Sequence, residues 1–249
     1  MGAESARPRL LELAQRYKLT TDQRERLEDL LSALDHDAHA PTSVRCPRRA
    51  VDIHVADSLV ALELEVVARA RAIADLGSGA GFPGLALAVA LARAEVRLIE
   101  SNMRKCAYLQ RVVAETGVRN ARVVCARAED WRDGEGSNDV VLARALAAQA
   151  VVVEYAAPLL RLGGTLADWR GKRSGREEEQ AARAAEQLGM HRVEIRRTEP
   201  FAGAQDRHLH LYVKVRPTPS RFPRRAGVAN RRPLGGPARA AGPTRSAER

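Results

Sequence analysis

The sequence predicts an α/β fold built on a mostly parallel sheet with helices on both faces, and three observations carry that expectation. Five short apolar runs are interspersed with four helical stretches between residues 71 and 188, the spacing of strand–helix units that lie parallel in one sheet. The first run, Ala72 to Leu76, breaks into Gly77-Ser78-Gly79-Ala80-Gly81-Phe82-Pro83-Gly84 before a helix begins, the order of a strand feeding a tight turn and a helix N-terminus. The last two apolar runs, residues 192–198 and 208–216, have no helix between them and should pair antiparallel.

Taken in order, the chain opens on a polar stretch with a short helix around Leu10, Leu11 and Leu13. Thr20 and Gln23 read as a capping box, and Leu27, Leu30, Leu31 and Leu34 recur at helical spacing behind it. That helix should bury its leucines and show Arg24, Arg26 and Glu28 to solvent. Residues 35–41 carry acids and histidines without the spacing of a metal site and read as a loop. Residues 48–70 read as one further helix. His54, Asp57 and Ser58 share a face of it, but there is no strand–turn elbow to expose the serine of a hydrolase triad. They form either a polar face bonded to neighbours or the mouth of a site. Strands are expected at 73–76, 96–100, 121–126, 139–144 and 164–169, with helices at 84–93, 101–116, 147–162 and 174–188. Pro158 should kink the third of these helices, which Gly163-Gly164 should stop. Beyond Pro217 the chain turns Pro-, Arg-, Gly- and Ala-rich, either a disordered tail or an arm that orders on a partner. Three regions follow: an N-terminal helical extension packing on the core (1–70), the core itself (71–216) and a basic C-terminal tail (217–249).

Composition sets outer limits. The 249 residues include 41 basic and 31 acidic side chains, a net charge of +10, which suits a polyanionic partner such as nucleic acid. Cys46, Cys106 and Cys125 are odd in number and lack C-x-x-C spacing, so neither a disulfide framework nor a zinc site is expected. There is no N-terminal apolar signal, and the longest apolar run, Leu85 to Ala92, is too short to cross a bilayer. A soluble, reduced, cytoplasmic protein with no metal is the expectation.

The glycine loop admits two ligand classes. From Gly79 it satisfies G-x-G-x-x-G, a dinucleotide fingerprint. From Asp75 it reads D-x-G-x-G-x-G, which resembles the first motif of S-adenosylmethionine-dependent methyltransferases, and this frame puts its first glycine directly after the strand. Glu100 closes the second strand, where a carboxylate can take two ribose hydroxyls.

Further motifs narrow the choice. Thr42-Ser43-Val44-Arg45 precedes His54-x-x-Asp57-Ser58. Glu100-Ser101-x-x-Arg104-Lys105-x-x-Tyr108-Leu109, Ala128-Glu129, Ala143-Arg144-Ala145, Arg207-His208 and Pro223-Arg224-Arg225-x-Gly227 to Pro233-Leu234 follow the loop. With these, residues 19–234 resemble the glucose-inhibited division protein B family, bacterial methyltransferases of guanine N7 in 16S ribosomal RNA. The resemblance implies a class I S-adenosylmethionine-dependent methyltransferase fold, Rossmann-like, with a mostly parallel seven-stranded sheet and an antiparallel last strand. It implies S-adenosylmethionine as cofactor, held by Gly77, Gly79 and Phe82 of the loop, with Ala128 and Glu129 flanking the adenine and Arg144 at cofactor and target base. It also implies 16S rRNA or the 30S subunit as partner, with no membrane, for a protein expected to be a monomer. The chain departs from the family at Ala40-Pro41-Thr42, where Asn-Leu-Thr is usual, and at Arg170, where a lysine is usual.

Guanine N7 has a lone pair and no proton, so methylation there needs positioning rather than a general base; the target base is expected to leave its stack. No catalytic acid, base or nucleophile is singled out. Arg144 can hold the guanine edge or the cofactor carboxylate, and Arg170, Arg224 and Arg225 are phosphate candidates. Two other readings remain at this stage: a nicotinamide-dependent oxidoreductase and a non-catalytic RNA-binding relative.

Overall fold

The computed structural model of the chain describes residues 3–236. Helix α1 (Arg7–Tyr17) ends at Lys18 in the left-handed conformation. Helix α2 (Thr21–His36) is capped as its sequence predicts: Gln23 N–H donates to Thr20 Oγ1 at 3.2 Å, and Thr20 N–H donates to Gln23 Oε1 at 2.8 Å. The Gln23 amide nitrogen then donates to the carbonyls of Val89 and Ala90, both at 2.9 Å, so the cap also fastens α2 to the core. Leu27, Leu30, Leu31 and Leu34 are buried. Arg24 is buried as well, against expectation, with its guanidinium paired to Glu25 and Glu28. Arg26 is half-buried and donates to the carbonyls of Thr116 and Gly117. Arg24 keeps charge partners and Arg26 carbonyl acceptors while their stems are covered, which a two-faced helix pattern does not anticipate.

The single helix expected over 48–70 is broken. It runs as α3 (Pro47–Ala50), a π-helical stretch (Val51–Ala56), α4 (Asp57–Leu59) and a 3-10 turn (Val60–Glu63), then bends at the extended Leu64 before α5 (Glu65–Ala68). Ser58 Oγ donates to the His54 carbonyl at 2.5 Å, competing with the regular backbone ladder. The wider π turn holds an extra residue and resets the faces, so that every residue from His54 to Ala61 is buried.

Seven strands follow: β1 (Ala72–Leu76), β2 (Glu95–Glu100), β3 (Ala121–Cys125), β4 (Asn138–Arg144), β5 (Leu160–Arg170), β6 (Met190–Arg197) and β7 (His208–Lys214). They lie in the order β3-β2-β1-β4-β5-β7-β6. The first five are parallel, and β7 is antiparallel to both β5 and β6. Helices α6 (Gly84–Ala90), α7 (Met103–Thr116), α8 (Gln149–Leu159) and α9 (Gly175–Gln187) connect them, and α10 (Val228–Arg231) lies near the end. Side chains alternate across the sheet. Ile73, Val96, Leu98, Val140 and Leu142 join the leucines of α1 and α2 in one cluster. Ala74, Leu76, Val141, Ala143 and Leu166 face α8 and α9 in the other. The N-terminal helices thus share a core with the sheet.

Helix α8 is buried at all eleven positions, as a helix apolar on every side must be. It ends at Leu159, one residue after Pro158, and β5 starts at once rather than after Gly163-Gly164. Leu160 pairs with Asn138 and its carbonyl accepts from Lys214 Nζ at 2.7 Å, which holds the chain extended there. Gly164 lies inside the strand because a Cβ would come within 2.9 Å of the Asn138 carbonyl oxygen.

The segment after Pro217 is ordered on the body through residue 236. Arg224 forms a two-point ion pair with Glu154, which is fully buried in α8, through Nε at 2.7 Å and through Nη2. Phe222 and Ala229 are buried, and Gln180 and Arg183 of α9 donate to the carbonyls of Leu234 and Gly235. The part of the expected tail at 237–249 lies outside the described residues. No helix among the described residues is long and apolar enough to cross a membrane.

Candidate active site

At the carboxyl end of β1, Gly77, Gly79 and Gly81 all have positive φ (65°, 53° and 94°), the region glycine enters without strain. Space matters as much as conformation. A Cβ on Gly77 would lie 2.5 Å from Leu146 Cδ1, and one on Gly84 would lie 2.6 Å from Asp75 Oδ2. The loop is pinned from behind: Gly77 and Ser78 N–H donate to the Ile99 carbonyl, Ser78 Oγ donates to the Asp75 carbonyl, and Gly84 N–H donates to Asp75 Oδ2 at 3.1 Å. Burial pushes the Asp75 carboxyl up to about 6, while the Gly84 N–H pulls the other way. Its Oδ1 is buried without a hydrogen-bond partner among the described residues.

Glu100, at the end of β2, is buried and faces the same loop. Its Oε2 accepts from Gly79 N–H at 3.1 Å and its Oε1 from Asn102 N–H at 2.8 Å; each carboxylate oxygen keeps a further lone pair. Beyond it a cavity of about 150 Å³ is lined by Gly77, Ile99, Ala128, Glu129, Leu146 and Tyr155, with Asn230 at its rim. Glu129 is buried and its Oε1 accepts from Gly227 N–H at 3.0 Å. Burial, with Glu129 beside it, pushes the Tyr155 hydroxyl up to about 12.

On the other side of the loop lies a polar cluster that joins β4 to the irregular helix. Arg144 Nη1 donates to Asp57 Oδ2 at 3.0 Å and to the Ile53 carbonyl at 3.1 Å, and Nη2 donates to His54 Nδ1 at 3.3 Å. Since guanidinium only donates, Nδ1 of His54 is an acceptor and the ring proton sits on Nε2. That nitrogen lies 3.1 Å from the Val44 carbonyl and 3.2 Å from Thr42 Oγ1. Burial, with Arg144 adding to it, lowers His54 to about 4. The ring stacks on Phe82 of the glycine loop, centroids 5.0 Å apart. Trp169 Nε1 donates to the Asp57 carbonyl at 2.8 Å, and Arg207 Nε stands 4.0 Å from Asp57 Oδ1. The His54–Asp57 face therefore sits against the loop.

The predicted residues fall into three groups. Gly77, Ala128 and Glu129 line one cavity, and Glu100 holds Gly79 of the same loop beside it. Phe82 and Arg144 meet across His54, with Arg144 tied into an ion pair. The phosphate candidates are scattered. Arg170 Nε donates to Asp168 at 2.7 Å, and Arg224 is engaged by Glu154, so both charges turn inward because buried carboxylates need them. Arg225 is exposed. Sequence reasoning missed Leu146, Tyr155 and Asn230. Tyr155 shares a helical stripe with Val152, Ala156 and Leu159 and so reads as a core position, and nothing in a Pro- and Arg-rich tail singles out Asn230.

Comparison with known proteins adds an independent line. The family model for rRNA small subunit methyltransferase G (GidB) matches residues 23–210. A ribosomal RNA small subunit methyltransferase G from Syntrophomonas wolfei is 42% identical over 154 residues, covering 61% of this chain and 72% of that protein. Its namesake from a Synechococcus strain is 35% identical over 191 residues, 73% of each chain. Among solved structures, a SAM-dependent O-methyltransferase from Thermotoga maritima aligns with a TM-score of 0.52 at 16% identity, over 64% of each chain, a likeness of fold.

Proposed function

The chain belongs to the rRNA small subunit methyltransferase G family, and from that premise we propose that it transfers the methyl group of S-adenosylmethionine to N7 of one guanine in 16S ribosomal RNA. The observation that carries the reading is the cleft at the carboxyl ends of β1 and β2, where a glycine cradle and two buried carboxylates, Glu100 and Glu129, adjoin a cavity with Ile99, Ala128 and Leu146 in its lining. Ligands of open α/β sheets bind at that edge. The nicotinamide reading rested on the literal G-x-G-x-x-G alone and has no support from the family.

The residues fit the cofactor. A Cβ on Gly79 would meet nothing nearer than the Gly77 carbonyl oxygen at 3.7 Å, so the loop is open where a ligand would lie. Asp75 Oδ1 is a buried oxygen without a partner behind that loop. Gly77 and Gly79 would line the amino-acid end, Glu100 would take the ribose hydroxyls, and Ala128 and Glu129 would border the adenine. When bound, S-adenosylmethionine supplies an electrophilic methyl group on a sulfonium.

This chain's own part is to position the acceptor. Guanine N7 attacks with its lone pair and carries no proton, so no side chain has to remove one. His54 is held neutral and Asp57 is held by Arg144, which makes the cluster a fixed polar wall beside Phe82. Arg144 donors at that wall suit the acceptor edge of guanine, O6 and N7; with N7 reacting, O6 is the atom left to hold. Arg225 suits backbone phosphate, and an RNA acceptor of this kind supports a cytoplasmic location.

Labelled S-adenosylmethionine offered to unmodified 30S subunits and to naked 16S RNA tests the proposal, with the product located by cleavage at 7-methylguanine. Label at one guanine is the expected result. Cofactor binding without label on either substrate would overturn the acceptor assignment, and no binding would overturn the cofactor assignment.

A further inference from the structure

We propose that Asn230 is a cofactor-binding residue that reads the hydrogen-bonding edge of the adenine, so that residues 222–235 complete the pocket from outside the methyltransferase core. The inference rests on the cofactor reading above. Asn230 lines the same cavity as Gly77, Ile99, Ala128 and Tyr155, although it lies 75 residues beyond Tyr155 in the chain.

Its place is fixed without any ligand. Arg224 clamps Glu154, Gly227 N–H donates to Glu129 Oε1 at 3.0 Å, and Ala229, next to Asn230, is 1% exposed. Asn230 Nδ2 donates to the Tyr155 hydroxyl at 3.0 Å. The side chain is thus set by the same segment that engages Glu129.

The chemistry matches. Ile99, Ala128 and Leu146 supply flat apolar walls, which hold any base but cannot tell one from another. Discrimination needs a donor and an acceptor side by side. A carboxamide has both, and it pairs with the amino group and adjacent ring nitrogen of adenine. The bond to Tyr155 uses one Nδ2 hydrogen; the other hydrogen and Oδ1 are the pair such an edge takes. A glutamate whose Oε1 already accepts from Gly227 offers no donor for the ring nitrogen.

The test is calorimetric titration of the full chain with S-adenosylhomocysteine and with its inosine counterpart, in which a 6-oxo group replaces the 6-amino group. Wild type is expected to prefer the adenosine compound by about tenfold. Asn230→Ala should weaken that compound by about tenfold and bring the two close to equal. Tyr155→Phe, which removes the tether and leaves the carboxamide, should weaken both alike and preserve the ratio. An unchanged ratio in Asn230→Ala would overturn the assignment, whether or not overall affinity fell. Wild type binding neither compound would instead remove the cofactor reading itself, and this assignment with it.

Discussion

His54 carries a charge decision in its surroundings. A second ring proton would have to sit on Nδ1, the nitrogen that Arg144 approaches, while the bond from Nε2 to the Val44 carbonyl pulls weakly the other way. With burial as the first cause, the group titrates near 4 in the fold against about 6.5 for a solvated histidine. The unfolded chain therefore binds more protons between those values, and stability rises with pH across that window. The contribution is complete above about 6.5, falls as the pH drops toward 4, and changes no further below. Urea unfolding at pH 7 and pH 5 should differ by on the order of 2 kcal/mol from this group, and His54→Gln should shrink the difference. His210, also lowered to about 4 by burial, adds in the same direction, whereas Asp75 and Asp168, raised by burial to about 6 and about 7, oppose it, so the test is the difference between wild type and His54→Gln and not the wild-type slope itself. A His54→Gln variant with the full wild-type slope would place the effect elsewhere. Asp57 makes a second case. Its pair with Arg144 is largely buried, with the side chains 4% and 17% exposed, and removing one member strands the other charge. Asp57→Ala should cost about 3 kcal/mol in chemical denaturation; a loss below about 1 kcal/mol would mean that water, with the Ile53 carbonyl, satisfies the guanidinium.

Element boundaries reveal which physical signals survive in a one-dimensional reading. The five parallel strands and the final hairpin were legible, because short apolar runs with turn residues between them are local signals, and a sheet buried on both faces makes those runs nearly continuous. The α2 cap was legible for the same reason. The irregular helix was not: the sequence from Pro47 to Ala68 reads as helical, and the contacts made along its irregular stretch, His54 with Phe82 and Asp57 with Arg144 and Trp169, come from residues distant in sequence. The cleft residues on the ends of β1 and β2 could be placed by position alone, whereas Asn230 needed the fold. The Pro- and Arg-rich stretch after Pro217 reads as a solvated tail because composition does not reveal that Glu154, in the middle of an otherwise apolar helix, requires a cation. Arg224 answers it. Arg224→Ala should lower unfolding free energy by about 3–5 kcal/mol by leaving Glu154 buried and unpaired. The double variant Glu154→Met with Arg224→Met should recover most of that loss, since an apolar pair of similar volume avoids the stranded charge. If the double variant were as unstable as the single one, the ion pair would be holding the strap by geometry rather than by charge balance.

For the molecule as a whole, the net charge of +10 suits RNA, but where that charge is spread decides what it can do. Arg24, Arg144, Arg170 and Arg224 face carboxylates inside the fold. Arg225, Arg231 and Arg232 stand exposed on the segment that Arg224 anchors. Two neighbouring arginines, 224 and 225, are therefore predicted to behave oppositely. A phosphate contact releases counterions, and each one adds about 0.7 (single strand) to 0.9 (duplex) to the slope of log K against log salt. Arg225→Ala should lower the steepness of that slope for 16S RNA by about that amount while leaving the melting temperature in place. Arg224→Ala should lower the melting temperature. At a temperature where it remains folded with its strap docked, its salt slope should match wild type, because an arginine held by Glu154 makes no phosphate contact and displaces none of the RNA's counterions. Equal slopes in wild type and Arg225→Ala would move the RNA contact off this segment. A reduced slope in folded Arg224→Ala would mean that Glu154 yields its arginine to phosphate when RNA arrives, and the strap would then open on the substrate instead of staying closed beneath it.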